Sequence, residues 1–202
     1  MKKLILSAVA AVFAMGISNA QEIDFGAKVG ANFAKLTGDD LEDADGRTGI
    51  NVGITGEYMF NPTFALQVEA LYSQQGLQRD LTGGGEQKLK LDYINVPVLA
   101  KFYIGESGFS IEAGPQFGIL VKDESSIEGA GILNGETDLN AEELDLSAGG
   151  GLAYKFKEGT SLEGLSANVR YMIGLNNVFE DGDTFGDDIT NSVLAVSLGY
   201  KF

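Results

Sequence analysis

Apolar and polar side chains alternate with period two through most of the chain after Gln21. Asp24 to Leu36 sets Phe25, Ala27, Val29, Ala31 and Phe33 against Gly26, Lys28, Gly30 and Asn32. Ile50 to Phe60 repeats this, with Ile50, Val52, Ile54, Tyr58 and Phe60 opposed to Asn51, Gly53, Thr55 and Glu57. Phe64 to Tyr72, Leu144 to Phe156, Leu165 to Leu175 and Leu194 to Phe202 follow the same rule. A two-residue period is that of a β-strand, whose successive side chains point to opposite faces.

Two further strands come from the segment Leu91 to Val121, which makes eight. Its first arm carries Val96, Val98, Ala100, Phe102 and Ile104 on one face, and its second carries Phe109, Ile111, Ala113, Pro115, Phe117, Ile119 and Val121. Gly105-Glu106-Ser107-Gly108 supplies the turn between them. Pairing Ile104 with Phe109 puts Lys101 opposite Glu112, predicting an ion pair on the non-apolar face. It also brings Pro97 and Pro115 almost opposite each other, so one irregularity serves both. The apolar phase of Lys88 to Tyr93 is shifted by one, which predicts a bulge near Asn95 to Pro97.

The residues Tyr93-Ile94-Asn95-Val96-Pro97-Val98-Leu99-Ala100-Lys101-Phe102-Tyr103, followed by Gly108-Phe109-Ser110-Ile111-Glu112-Ala113-Gly114-Pro115, resemble a family hairpin. It is that of the small outer-membrane β-barrel proteins of the PorT/OmpX-like type, common in Bacteroidetes and often labelled porin family. The resemblance implies an all-β fold, an eight-stranded antiparallel up-and-down transmembrane β-barrel.

Connection lengths agree with that expectation. The turns at Asn61 to Thr63, Gly105 to Gly108 and Lys157 to Ser161 are short. The loops Thr37 to Thr48, Gln75 to Gln87, Lys122 to Glu142 and Asn176 to Asn191 are long and polar. In an up-and-down barrel this alternation puts the short turns at one rim and the long loops at the other.

Alternation alone leaves open whether the apolar face looks inward or toward lipid. Three features favour lipid. The polar face is sparsely charged, with Lys28, Glu57, Glu69, Lys101, Glu112, Lys155, Arg170 and Lys201 spread at about one per strand among many Gly, Ser, Thr and Asn. Aromatic residues gather near the short-turn ends: Phe60, Phe64, Phe102, Phe109, Tyr154, Phe156, Tyr200 and Phe202. The chain stops at Tyr200-Lys201-Phe202, which resembles the terminal signal that outer-membrane barrels present to the barrel assembly machinery, although Ser197 stands where that pattern has Gly.

The eight inward charges then form either a packed polar network or the lining of a narrow pore. An eight-stranded barrel is just wide enough for side chains to fill, which favours packing. Gly149 and Gly151 leave room for a long side chain such as Arg170.

Composition narrows the chemistry further. The sequence has no Cys, no His and no Trp, which removes disulfides, Cys nucleophiles, the commonest general base and the usual zinc sites. Neither a catalytic residue nor a cofactor is expected, and the chain is read as non-enzymatic. Lys2 and Lys3, the apolar run Leu4 to Ile17, and Ser18-Asn19-Ala20 describe a signal peptide over residues 1–20, cleaved after Ala20, ahead of a barrel domain over residues 21–202.

Without that segment the chain carries 12 Lys and Arg against 29 Asp and Glu, a balance that disfavours nucleic acid. Many acids lie in the long loops: Asp39, Asp40, Glu42, Asp43 and Asp45, then seven from Asp123 to Glu143, then Glu180, Asp181, Asp183, Asp187 and Asp188. Asp181, Asp183, Asp187 and Asp188 are the weak candidates for divalent cations, but the EF-hand spacing fails at Phe185 and solvated loops are the plainer reading. Arg79, Lys88 and Lys90 form a basic cluster facing the phosphates of outer-membrane lipid or lipopolysaccharide, or else an ordinary strand extension.

Overall fold

The computed structural model describes residues 23–38, 45–80, 86–128, 135–137, 141–157, 159–179 and 189–202. Among the described residues there are nine strands: β1 (Ile23–Thr37), β2 (Asp45–Asn61), β3 (Phe64–Asp80), β4 (Glu86–Tyr103), β5 (Phe109–Glu128), β6 (Gly135–Thr137), β7 (Leu144–Lys155), β8 (Leu165–Gly174) and β9 (Thr190–Lys201). Eight of them pair in sequence order, all antiparallel, and β1 pairs with β9 to close the ring. β6 is a three-residue addition to the far end of β5, inside the segment expected to be a plain loop.

Closure answers the edge problem. Each wall strand has a hydrogen-bonded neighbour on both sides, so no row of backbone amides faces the surroundings unpaired. The inward glycines permit the tight curvature. A Cβ on Gly53 would collide with the Ala70 carbonyl, and one on Gly149 with the Tyr171 carbonyl.

The hairpin register matches the alternation: Tyr103 faces Ser110 and Lys101 faces Glu112, while the Ile104 amide donates to the Phe109 carbonyl at 2.8 Å. The expected bulge lies elsewhere. Pairing runs in one register from Tyr93–Leu120 to Tyr103–Ser110, through both prolines, and shifts only between Asp92 and Tyr93, where Val121 is the extra residue. Pro97 points inward and is fully buried, whereas Pro115 is exposed on the outside.

The change in apolar phase along β4 has a different cause from a bulge. Leu89, Leu91, Tyr93, Asn95, Pro97, Leu99, Lys101 and Tyr103 are all buried in unbroken alternation. What changes is the nature of the interior. Toward the long-loop end it becomes apolar, where Leu36, Leu77, Leu89, Leu91, Tyr93, Val178, Phe179 and Ile189 pack into one buried cluster. At that level the outward positions of β4 are Lys88, Lys90 and Asp92. The barrel therefore has two storeys: below, apolar outside and polar inside; above, polar outside and apolar inside.

This inversion also explains the strand lengths. β2, β3 and β5 run several residues into the segments expected to be loops, and β4 and β9 each begin two residues inside them, because the upper storey reverses the pattern by which the lower one is recognised. Segment 175–179 then folds back over the top. The Val178 amide donates to the Ile189 carbonyl and the Val178 carbonyl accepts from the Glu142 amide, and Phe179 forms a bridge with Ala141.

On the outer face of the lower storey the side chains are large and apolar. Phe25, Val29, Ile54, Phe102, Ile111, Leu152, Val169, Val196 and Leu198 are all exposed. Near the short turns they become an aromatic band. Phe60 stacks on Phe64 at 5.4 Å, Phe109 lies 4.7 Å from Tyr154, Tyr154 lies 5.1 Å from Phe156, and Tyr200 lies 6.0 Å from Phe202.

Candidate functional site

The interior of the lower storey is where polar chemistry concentrates. Strand alternation delivers Lys28 from β1, Glu57 from β2, Gln67 and Glu69 from β3, Lys101 and Tyr103 from β4, Glu112 from β5, and Asn168 and Arg170 from β8 into one lumen. Glu69 is at its centre and fully buried. It accepts two parallel bonds from Arg170, Nη1 to Oε2 at 2.8 Å and Nη2 to Oε1 at 2.9 Å, and bonds from Lys28 Nζ at 3.1 and 3.3 Å. Gln67 donates to the same carboxylate.

Arg170 also donates from Nε to Glu112 Oε1 at 2.8 Å, and Asn168 Nδ2 reaches that oxygen at 3.2 Å. The planar guanidinium thus engages carboxylates from two strands at once, Glu69 on β3 and Glu112 on β5, which a lysine cannot reproduce. Its approach depends on Gly151, its neighbour on β7, because a Cβ there would lie 2.8 Å from the Arg170 Cα and clash with the Val169 carbonyl.

Lys101 departs from its expected pairing. Although it faces Glu112 across the hairpin, its Nζ donates to Glu57 Oε2 at 2.7 Å and to Gln67 Oε1 at 2.8 Å. Tyr103 Oη donates to the other Glu57 oxygen at 2.7 Å. The reason is geometric: the wall curls inward, so a long side chain on β4 reaches over β3 to Glu57 on β2 as readily as to its sheet neighbour, and Arg170 has already taken Glu112.

Three buried cations, Lys28, Lys101 and Arg170, therefore meet three buried anions, Glu57, Glu69 and Glu112. Lys155 and Lys201 sit lower, partly exposed at the short-turn mouth, where Lys201 pairs with Asp24. A polar cavity of about 70 Å³ opens at that mouth, lined by Asp24, Lys28, Glu57, Lys101, Lys155 and Lys201 among others. Above the ion network lies a neutral layer. Asn51 donates to Asn32 at 2.7 Å, Asn32 to Ser73 at 2.8 Å, and Ser197 to Asn51 at 3.1 Å.

Tyr200 and Phe202, the expected assembly signal, are exposed on the outer face, and Ser197 is buried and donates to Asn51. Asp181, Asp183, Asp187 and Asp188 lie outside the described residues. Among the described residues no group of three or more acidic side chains is arranged to hold a metal ion. Of the basic cluster, Lys90 donates to Glu124 at 2.5 Å, Lys122 donates to the same carboxylate at 2.6 Å, and the Arg79 side chain is outside the described set. Sequence reasoning put Asn32 and Asn51 on the polar face without giving them a part in the network and left out Tyr103, Asn95, Asp145 and Asn191, although each stands at an inward position of its strand.

A closed ring of eight antiparallel strands with an apolar belt, an aromatic band and a charged interior is built for hydrocarbon outside and not water, and defines a transmembrane β-barrel. The chain matches the model of the family described as outer membrane protein beta-barrel domain over residues 19–180, and it belongs to that family; its place is the bacterial outer membrane.

Solved structures of similar fold include three small barrels. The attachment invasion locus protein of Yersinia pestis, Ail, solved with the heparin analogue sucrose octasulfate, is 14% identical, with a TM-score of 0.51 over 90% of this chain and 100% of Ail. Neisserial surface protein A is 14% identical, with a TM-score of 0.53 over 88% of this chain and 97% of its own. OprG from Pseudomonas aeruginosa is 16% identical, with a TM-score of 0.50 over 90% and 97%. Identities this low carry the fold alone. No curated protein matches the chain by sequence.

Proposed function

We propose that this protein is a non-enzymatic, non-conducting barrel of the outer membrane with a structural or interaction role in the cell envelope. Export follows from the signal peptide over residues 1–20, cleaved after Ala20, and delivery to the assembly machinery from Tyr200 and Phe202. The observation that carries the reading is the Arg170 guanidinium held between Glu69 and Glu112 across the lumen. Such a network packs the channel axis with side chains whose charges cancel, and the apolar cluster above it adds a second barrier to ions. The acidic long loops are left as the surface offered to partners, with lipopolysaccharide and its divalent cations as the nearest.

Planar-bilayer conductance tests this directly. The protein inserts without discrete conductance steps, and Arg170→Ala stays silent or only raises noise. Reproducible steps that change with Arg170 overturn the reading in favour of a small passive pore, the second reading, which the polar cavity at the short-turn mouth supports.

A further inference from the structure

Lys155 is the cation that the ion network leaves over. The cavity of about 70 Å³ at the short-turn mouth has Lys28, Lys101, Lys155 and Lys201 on its wall against the carboxylates Asp24, Glu57 and Glu112. Each carboxylate is already held: Asp24 by Lys201, Glu57 by Lys101 and Tyr103, and Glu112 by Arg170 and Asn168. Lys28 is held by Glu69. Among the described residues Lys155 has no carboxylate at ion-pair distance, and its ammonium makes no hydrogen bond.

Hydroxyl groups line the same space without partners. Ser110 is only 1% exposed, and its Oγ, like that of Ser166, makes no hydrogen bond to a described residue. Strand register brings both to Lys155. Ser166 on β8 is its direct neighbour, and Ser110 on β5 faces Ala153, two residues before Lys155 on β7. Diagonal neighbours of that kind lie about 7–8 Å apart, within reach of a long side chain. Between Ser110 and Asn168 the row carries only the methyl group of Ala153, which leaves the room.

The geometry points to a binding site for one small monovalent anion, a halide ion or a carboxylate group, held by Lys155, Ser110 and Ser166. An ammonium donates in three directions and each hydroxyl donates once, so all three can turn a proton to the same anion. The lining has a surplus of one positive charge, which one negative charge balances. A doubly charged anion would leave a net charge where it is poorly solvated. Size sets the same limit: a water takes about 30 Å³ in the liquid, so the cavity holds one such ion with a water beside it. Two wider hollows at the mouth also have Lys155 on their walls, which gives the ion its way in. The site stands below the Arg170 network and is independent of whether the barrel conducts.

The probe is chloride, followed by its NMR line width with the detergent-solubilised protein and with micelles alone. The folded protein broadens the line. Formate and bromide reverse the broadening, and sulfate at equal ionic strength does not. The anion that displaces chloride at the lower concentration assigns the site, formate to carboxylates and bromide to halides. Lys155→Met removes the excess broadening, and so does Ala153→Leu, which fills the cavity and leaves every charge in place. Heat-modifiable gel migration shows that each variant still closes. No excess broadening by the wild-type protein overturns the assignment and leaves water in the cavity. Broadening that persists in Lys155→Met or in closed Ala153→Leu, or that sulfate reverses as well as formate does, overturns it in favour of general screening by the lysines of the mouth.

Discussion

Arg170 and Glu69 meet edge to edge inside the barrel, two parallel bonds of 2.8 and 2.9 Å joining residues 101 positions apart. Neither group retains solvent, so removing one partner strands the other. Glu69→Gln leaves Arg170 and Lys28 sharing Glu112 alone and is expected to cost about 3–5 kcal/mol. Urea unfolding in detergent micelles, with the fraction closed read on gels, measures it; a midpoint unchanged from wild type contradicts the central role of Glu69.

Lys101 gives a sharper test because its sheet neighbour and its bonding partner differ. Double-mutant cycles with Lys101→Met should show coupling to Glu57→Gln larger than coupling to Glu112→Gln by at least about 0.5 kcal/mol. Equal coupling would return Lys101 to the hairpin pair suggested by the alternation.

Gly151 lets β7 and β8 approach where Arg170 enters the lumen. Gly151→Val overpacks that seam and is expected to destabilise the barrel by about 1–3 kcal/mol. The yield of closed barrel after refolding reports it, and full yield would show that the wall yields more easily than the geometry implies.

Leu91, fully buried in the upper cluster, tests the second storey. Leu91→Ala should cost about 2–5 kcal/mol. Faster amide exchange at Val178 and Ile189, with the lower strands still protected, would locate the loss in the cap.

Glu124 lies above the apolar belt, where hydrogen bonds from Lys122 and then Lys90 hold its carboxyl well down, at about 2. A carboxylate with a lowered folded-state pKa contributes stability above its unfolded value, near 4.3, and loses it as pH falls toward about 2. Amide protection at the β4–β5 extension should therefore be flat from neutral pH to about 4.5 and decline below, with high salt blunting the effect. A decline beginning near neutral pH would point to another group.

How far the sequence carried depended on which face was being read. The lower storey was legible because Val29, Ile54, Ile111 and Val169 alternate with polar residues, and lipid imposes that contrast strictly. The Lys101–Glu112 row followed from one short turn. The upper storey was not legible, because Leu89 and Leu91 keep their inward phase while the medium outside changes from hydrocarbon to water, and this imitates a bulge. Partner choice was equally hidden: strand register fixes where Lys101 starts, but the curvature of a closed wall decides which carboxylate it meets. Parity marks Asp145, Asn95 and Asn191 as inward, but the bond that Asn191 makes to Asp145 depends on how the wall curves.

The meeting of β1 and β9 has a consequence for how the wall is made. Lys201 and Asp24, paired at the mouth, stand 177 positions apart, and the Phe202 amide bonds the Phe25 carbonyl at 2.9 Å. The ring is sealed only when β9 finds β1, so the other wall strands must be in place before the last two edges are covered. Yet the seam is chemically like its neighbours. A circular permutant that joins β9 to β1 through a short linker and opens at Gly105 to Gly108 keeps seven of the eight pairings hairpin-local or nearly so, and simply moves the last closure to β4 and β5.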